Sequence, residues 1–480
     1  MKKIENRNDL REKKHTFLKD LSLVVLANGT GLVLSLVMNL LLPKLFSDNI
    51  ASYGYVQLYL LYVGYYYIFT LGICNGIYLK EGGRSFDALS ASKYSGQFWL
   101  FFIIETVFGI IIALGSAFFV SDQDKRFVFI LIGINVIIMG IREFFLMIFQ
   151  ATSRIKDYSL MTMISKCVNA SVIIVALLVS FRDYKSIIVM LTIGEAASLI
   201  FAMILGRKLF CATPVINKET IAETKTNALA GLSILVSGAT AMLVTGFAKL
   251  CVENHWGIET FAKISFTISI ANLFVVFANA ISVVLYPRLR KSDPSKLANT
   301  YSKLNITVVC VLFLTISLCY PARVVLELFL PEYKEALIYV SILLPMCVFI
   351  GKTSIVTQTY MKALRLEKQL MISNVISFVI SAGLVVVSVY LFESVVLTVF
   401  SILIGQMLRA TVCEAMLART IHKNIVKTVA IEVLLTAFFV ITHWIAGGWL
   451  GSALYFAVIV FSLIFALIIG RKKGYISNTN

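Results

Sequence analysis

Along the chain, apolar residues gather into fourteen runs divided by short polar breaks. The runs cover residues 21–42, 55–79, 98–119, 127–149, 160–179, 187–205, 228–250, 261–285, 303–319, 336–359, 370–391, 395–415, 428–445 and 450–470. Each is close to the ~20 residues that a helix needs to cross the hydrocarbon core of a bilayer. The pattern predicts an all-α polytopic membrane protein of about fourteen transmembrane helices. Composition agrees: 59% of the 480 residues are hydrophobic, 14% are charged, and the mean hydropathy is +0.88. An average soluble domain carries roughly a quarter charged residues.

The polar breaks give an orientation. Lys2, Lys3, Arg7, Arg11, Lys13, Lys14 and Lys19 precede the first run, and basic residues in short loops stay cytoplasmic. With fourteen crossings, the side holding both termini carries roughly three times as many Lys and Arg as the other. Losing one early crossing would scramble that alternation. Both termini are therefore expected in the cytoplasm. Counted this way, Arg142, Lys166 and Lys352 are left inside the runs. The net charge of +17 reads as this asymmetry facing an anionic leaflet, not as a nucleic-acid footprint. The first run is too long for a cleaved signal peptide, and no small-residue cleavage site follows it. Trp99, Trp256, Trp444 and Trp449 fall near run ends, as interfacial anchors do.

Soluble chemistry has little room. The longest polar break, 207–227, is too short to fold as a domain. No P-loop is present, so the chain itself does not hydrolyse ATP. The eight cysteines form no C-x-x-C pair; Cys251 and Cys319 fall on the same side, which leaves a disulfide between them open. The four histidines have no metal-ligand spacing. Asp122 and Asp124, in SDQDKR, make a D-x-D that could hold a metal bound to a sugar nucleotide. The plainer reading is a solvated acidic turn, favoured because no second acidic cluster supports the first. No cofactor, no metal and no enzymatic activity are expected.

The runs also repeat. FQATSRIKDYSLMTMIS, from Phe149, aligns with YMKALRLEKQLMISNVI, from Tyr360, and places Arg154 on Arg365. SYGYVQLYL, from Ser52, aligns with TFAKISFTI, from Thr260. Runs one to six and seven to twelve thus read as two copies with an even number of crossings each, a parallel repeat. The expected organisation is a basic N-terminus over 1–20, six-helix bundles over 21–206 and 228–415 joined by a linker at 207–227, two further helices over 428–470, and a tail at 471–480.

Two six-helix halves without a motor suggest alternating access around a central cavity. The segments NIASYGYVQLYL, LGICNGIYLKEGG, FQATSRIKDY, ISVVLYPRLRK and FLPEYKEALIYVSILLP, in this order and spacing, resemble the polysaccharide-exporter and O-antigen flippase group of the multidrug/oligosaccharidyl-lipid/polysaccharide superfamily. The resemblance covers nearly the whole chain. It implies a flippase that moves an undecaprenyl-pyrophosphate-linked oligosaccharide across a bacterial inner membrane, alongside a polysaccharide polymerase machinery. A multidrug extruder of the same superfamily and a peptidoglycan-precursor flippase remain alternatives. A membrane glycosyltransferase is disfavoured by the short outer loops.

Charges inside the runs carry the functional expectation. An intramembrane charge costs about 2.5–3.5 kcal/mol on insertion scales and normally faces a bundle interior or a wet cavity. Arg142 and Glu143 sit side by side in NVIIMGIREFFLMIF, roughly seven residues or about 10 Å from the run's inner end. Lys166, Glu105 and Glu195 share the N-terminal half, and Lys352 falls one residue from the repeat equivalent of Arg142. Two readings stand. In one, these are ion pairs, such as Glu143 with Lys166, that fix helix packing while Lys352 snorkels. In the other, Arg142, Lys166 and Lys352 face a cavity and meet a pyrophosphate, while Glu105, Glu143 and Glu195 offset that charge or couple transport to H+ or Na+. Lys249 and Lys263 are candidates for an outer rim, beside Glu253 and Glu259. Asn28, Asn39 and Gln57 are polar candidates for sugar hydroxyls, or for bonds to neighbouring helices. Pro345 is expected to bend the tenth run.

Overall fold

The computed structural model describes residues 31, 33–290, 294–443 and 448–472. Its helices, in chain order, are α1 (Val33–Leu45), α2 (Ile50–Val63), α3 (Ile73–Glu81), α4 (Ala91–Phe119), α5 (Gln123–Ala151), α6 (Ile155–Leu178), α7 (Tyr184–Phe210), α8 (Lys218–Trp256), α9 (Ile258–Arg290), α10 (Pro294–Ile316), α11 (Cys319–Phe329), α12 (Leu337–Leu343), α13 (Met346–Lys352), α14 (Thr359–Ala363), α15 (Glu367–Val386), α16 (Val395–Thr420), α17 (Val426–Ile441) and α18 (Gly448–Lys472). No strand occurs among the described residues. The protein is a multi-pass, all-helical membrane protein. Among the described residues seven helices are individually long and apolar enough to cross a bilayer, and ten spans result if each bent pair counts as one. In these seven, half or less of the apolar stretch is covered by protein. Outward-facing Phe119 and Leu178 are 88% and 79% exposed, a surface that only lipid makes cheap.

Three of the predicted runs are bent helix pairs. α2 and α3 meet at 54° through Gly72, whose φ of +80° is open to glycine and strained for other residues. α10 and α11 meet at 43°, and α12 bends by 41° against the helix formed by α13 and α14. Pro345 stands at the last of these bends, as its missing N–H requires. Just beyond it, Thr353–Gln358 forms a π-helical turn, a local widening that often marks functional positions.

Helix starts follow from short polar side chains. Asn49, Asp122, Asp183 and Ser394 each accept a backbone N–H from the first turn of α2, α5, α7 and α16. The D-x-D is accounted for here: Asp122 caps α5, and Asp124 bonds Lys185 at 2.8 Å. Among the described residues no three acids, histidines or cysteines gather as a metal site. Cys251 and Cys319 are free thiols.

The chain divides into two compact units, Met1–Ala239 and Thr240–Asn480. The first unit packs around Phe98, Phe101, Phe144, Phe145 and Phe149. α4 lies directly on α5, where Gly109 meets the backbone of Gly133; small residues allow such close approach in membranes. α8 begins at Lys218, well before the apolar run at residue 228, because a polar first turn precedes the hydrophobic stretch. In the second unit, Tyr301, Ile355, Val356, Tyr360 and Cys413 form a buried cluster. The last two helices are packed into this unit: Tyr455 of α18 donates to the Phe313 carbonyl of α10 at 3.3 Å and stacks edge-on against Phe439 of α17.

Candidate functional site

In the first unit, α5, α6 and α7 bring charged residues together. Arg142 of α5 is 8% exposed and ion-pairs with Glu195 of α7. Its guanidinium also reaches the Ser165 hydroxyl of α6 at 3.5 Å. Asn169 of α6 donates to the other oxygen of Glu195 at 3.5 Å. Glu143, next to Arg142, accepts from the Tyr66 hydroxyl at 2.7 Å. Glu143 thus meets Tyr66, and the Glu143–Lys166 pair that the ion-pair reading offered as an example is not formed. Consecutive helix positions point about 100° apart, so Arg142 and Glu143 reach different neighbours. Lys166 of α6 is half-buried. Its Nζ lies against Gly31, where a Cβ would come within 2.9 Å. No acid among the described residues forms an ion pair with it.

Glu105 of α4 is fully buried. Its carboxyl fills the space that Gly140 of α5 leaves, since a Cβ there would overlap it. Neither oxygen has a hydrogen-bond partner among the described residues. Of the polar candidates, Gln57 donates to the Tyr53 hydroxyl at 2.9 Å and Asn39 to the Ser35 carbonyl at 2.8 Å. Asn28 lies outside the described residues. Asn135 and Tyr59, not singled out from sequence, both bond the Thr192 hydroxyl at 2.9 Å.

The second unit holds its own cluster. Lys352, at the end of α13, is 1% exposed, so it neither snorkels nor presents a free ammonium. Its Nζ donates to Glu414 of α16 at 2.5 Å and to both oxygens of Glu432 of α17 at 2.6 and 2.8 Å. Tyr301 and Asn305 of α10 donate to the far oxygen of Glu414 at 2.7 and 3.0 Å. Sequence reading left Lys352 alone in this half. Glu414 and Glu432 lie close to the ends of their apolar runs and pass for loop-side acids, although a lone acid inside such a run is the available signal. Arg409 falls near the end of the same apolar run as Glu414; it is buried in α16 and bonds Asn374 at 3.0 Å and Gln406 at 3.4 Å. Lys249 stands 5.9 Å over the Phe261 ring. Lys263 pairs with Glu335 at 2.7 Å, not with Glu259. That contact holds the exposed Glu335 carboxyl below the usual carboxylate range.

The two clusters share a plan. Arg142–Glu195 joins the fourth and sixth spans of its half, and Lys352–Glu414 joins the tenth and twelfth. One cation–acid pair is thus found in each unit.

No protein-family profile and no curated protein matches the sequence. Solved structures do. An inward-facing multidrug resistance MATE family transporter of the MOP superfamily aligns over 84% of this chain and 94% of its own, with 14% identity and a TM-score of 0.57. The lipid II flippase MurJ, in an inward closed conformation, aligns over 94% of this chain and 99% of its own, with 13% identity and a TM-score of 0.56. At these identities the likeness shows the fold alone, one that this chain shares with both of these transporters.

Proposed function

We propose that the chain is a flippase that carries an undecaprenyl-pyrophosphate-linked oligosaccharide from the inner to the outer leaflet of a bacterial cytoplasmic membrane, driven by a H+ or Na+ gradient. The observation that carries this reading is Lys166, a half-buried intramembrane ammonium with no acid paired to it among the described residues, beside the Arg142 cluster. A bare pyrophosphate and a polyhydroxy glycan each cost several kcal/mol per unpaired polar group in hydrocarbon. A partly hydrated cation lowers that barrier, and Arg142 can join if Glu195 releases it. Transport by alternating access then takes its energy from an ion gradient, since no nucleotide motif is present; one charge crossing 100 mV supplies about 2.3 kcal/mol.

The test is leaflet accessibility in spheroplasts of the native host, with glycan polymerisation and ligation blocked. External lectin reaches the lipid-linked oligosaccharide when the protein is present. On depletion it does not, while the total amount holds. Unchanged accessibility overturns the reading. One observation favours a second reading, export of organic cations: the carboxyl of Glu105, which has no hydrogen-bond partner among the described residues. Accumulation of a small cation on depletion, with lectin access unchanged, selects that reading.

A further inference from the structure

The Lys352 cluster has an odd number of charges. Two carboxylates, Glu414 and Glu432, share one ammonium, and the three residues are 0%, 2% and 1% exposed. All three N–H donors of Lys352 are spent on the two acids. With both acids ionised, one negative charge is left over in the membrane interior, where an unbalanced carboxylate is very costly. Among the described residues nothing else facing the cluster balances it. α10 contributes the neutral donors Tyr301 and Asn305, with Tyr360 edge-on behind Tyr301. Arg409 lies about 140° around α16 from Glu414, at 3.6 residues per turn, and donates to Asn374 and Gln406.

We propose that Lys352, Glu414 and Glu432 form a proton-binding site that takes up one proton, held on Glu432. Glu414 accepts from three donors, Tyr301, Asn305 and Lys352, which suits a carboxylate. Among the described residues Glu432 accepts from Lys352 alone and keeps one bond when it becomes a carboxylic acid. The proton goes to a Glu432 oxygen; the Lys352 ammonium and the Glu414 carboxylate are unchanged. The site is built from the tenth, twelfth and thirteenth spans, so a helix outside the repeat supplies the proton-carrying group. Its use for coupling rests on the transport reading above; its existence does not.

Infrared difference spectra of the purified full chain in lipid nanodiscs test the site without any substrate. Wild type minus Glu432→Gln is expected to show one carboxylic-acid carbonyl band per chain. Glu414→Gln is expected to lose the same band, because the remaining acid then pairs with Lys352 alone. Lys352→Met is expected to gain one further acid band. Glu105→Gln serves as a control and leaves all three differences in place. If both Gln variants at 414 and 432 lose only carboxylate bands, the proposal is wrong. Should the lipid-linked glycan prove not to be the cargo, these spectra still decide the proton site. If the band is assigned to Glu432, dependence of lectin access on a pH gradient, measured in Glu432→Gln, separately tests coupling.

Discussion

Lys166 and Arg142 are both intramembrane cations, yet their substitution should read out differently. Arg142→Met strands Glu195 in a site where removing one partner of a buried pair costs about 3 kcal/mol or more. Its melting temperature in detergent should fall, and adding Glu195→Gln should restore much of it. Lys166→Met breaks no ion pair among the described residues. It should keep the melting temperature while lectin-accessible glycan drops by an order of magnitude or more. Equal export by Lys166→Met and wild type would remove this lysine from the transport path. Asp183 offers a pH-dependent case. It caps α7, and bonds from the Ser186 hydroxyl and backbone hold its carboxyl below the usual range. A depressed folded-state value means that the stabilisation is present above the unfolded value and lost as pH falls through the folded one. Asp183→Ala should therefore cost about 1 kcal/mol near neutral pH, with a difference in melting temperature that shrinks toward zero in strong acid.

At the scale of helices, the α4–α5 contact couples a glycine to a charge. Glu105 occupies the space beside Gly140, so even one methyl group overpacks it. Gly140→Ala should destabilise the protein by about 1–3 kcal/mol, measured by thermal melting. Glu105→Ala should relieve most of that loss in the double variant. Additive losses would mean that the two positions do not touch. The same contact shows how far periodicity goes. The predicted runs and the observed helices agree in order, and Pro345 marks a bend. The bend at Gly72 escaped because a strong apolar run, 55–79, hides a change of direction that only backbone dihedrals reveal.

At the scale of the whole chain, the last two helices are tied to the second unit by side chains. Glu432 of α17 reaches Lys352, and Tyr455 of α18 reaches α10. A chain ending at residue 424 loses both contacts, leaves Lys352 with Glu414 as its one acid partner among the described residues, and uncovers the buried Phe313 of α10. It should insert, because the earlier spans keep their charge bias, but it should melt well below the full-length protein. Melting equal to full length would show that α17 and α18 add nothing to the unit.

Hydropathy and charge along the chain determined that this is a polytopic helical membrane protein, and that Arg142, Glu143, Lys166, Lys352, Glu105 and Glu195 are unusual. Those properties are local, since the cost of placing a residue in hydrocarbon depends on its own chemistry and that of its near neighbours in sequence. Partnership was decided by the tertiary structure. Arg142 went to Glu195, Glu143 to Tyr66 and Lys352 to two acids, because pairing depends on which helix faces meet, and residues far apart in sequence are joined only when helices pack. Arg409, Glu414 and Glu432 escaped notice for the same reason. Near the end of an apolar run, a charge that faces water and a charge that faces a buried partner have the same sequence signature.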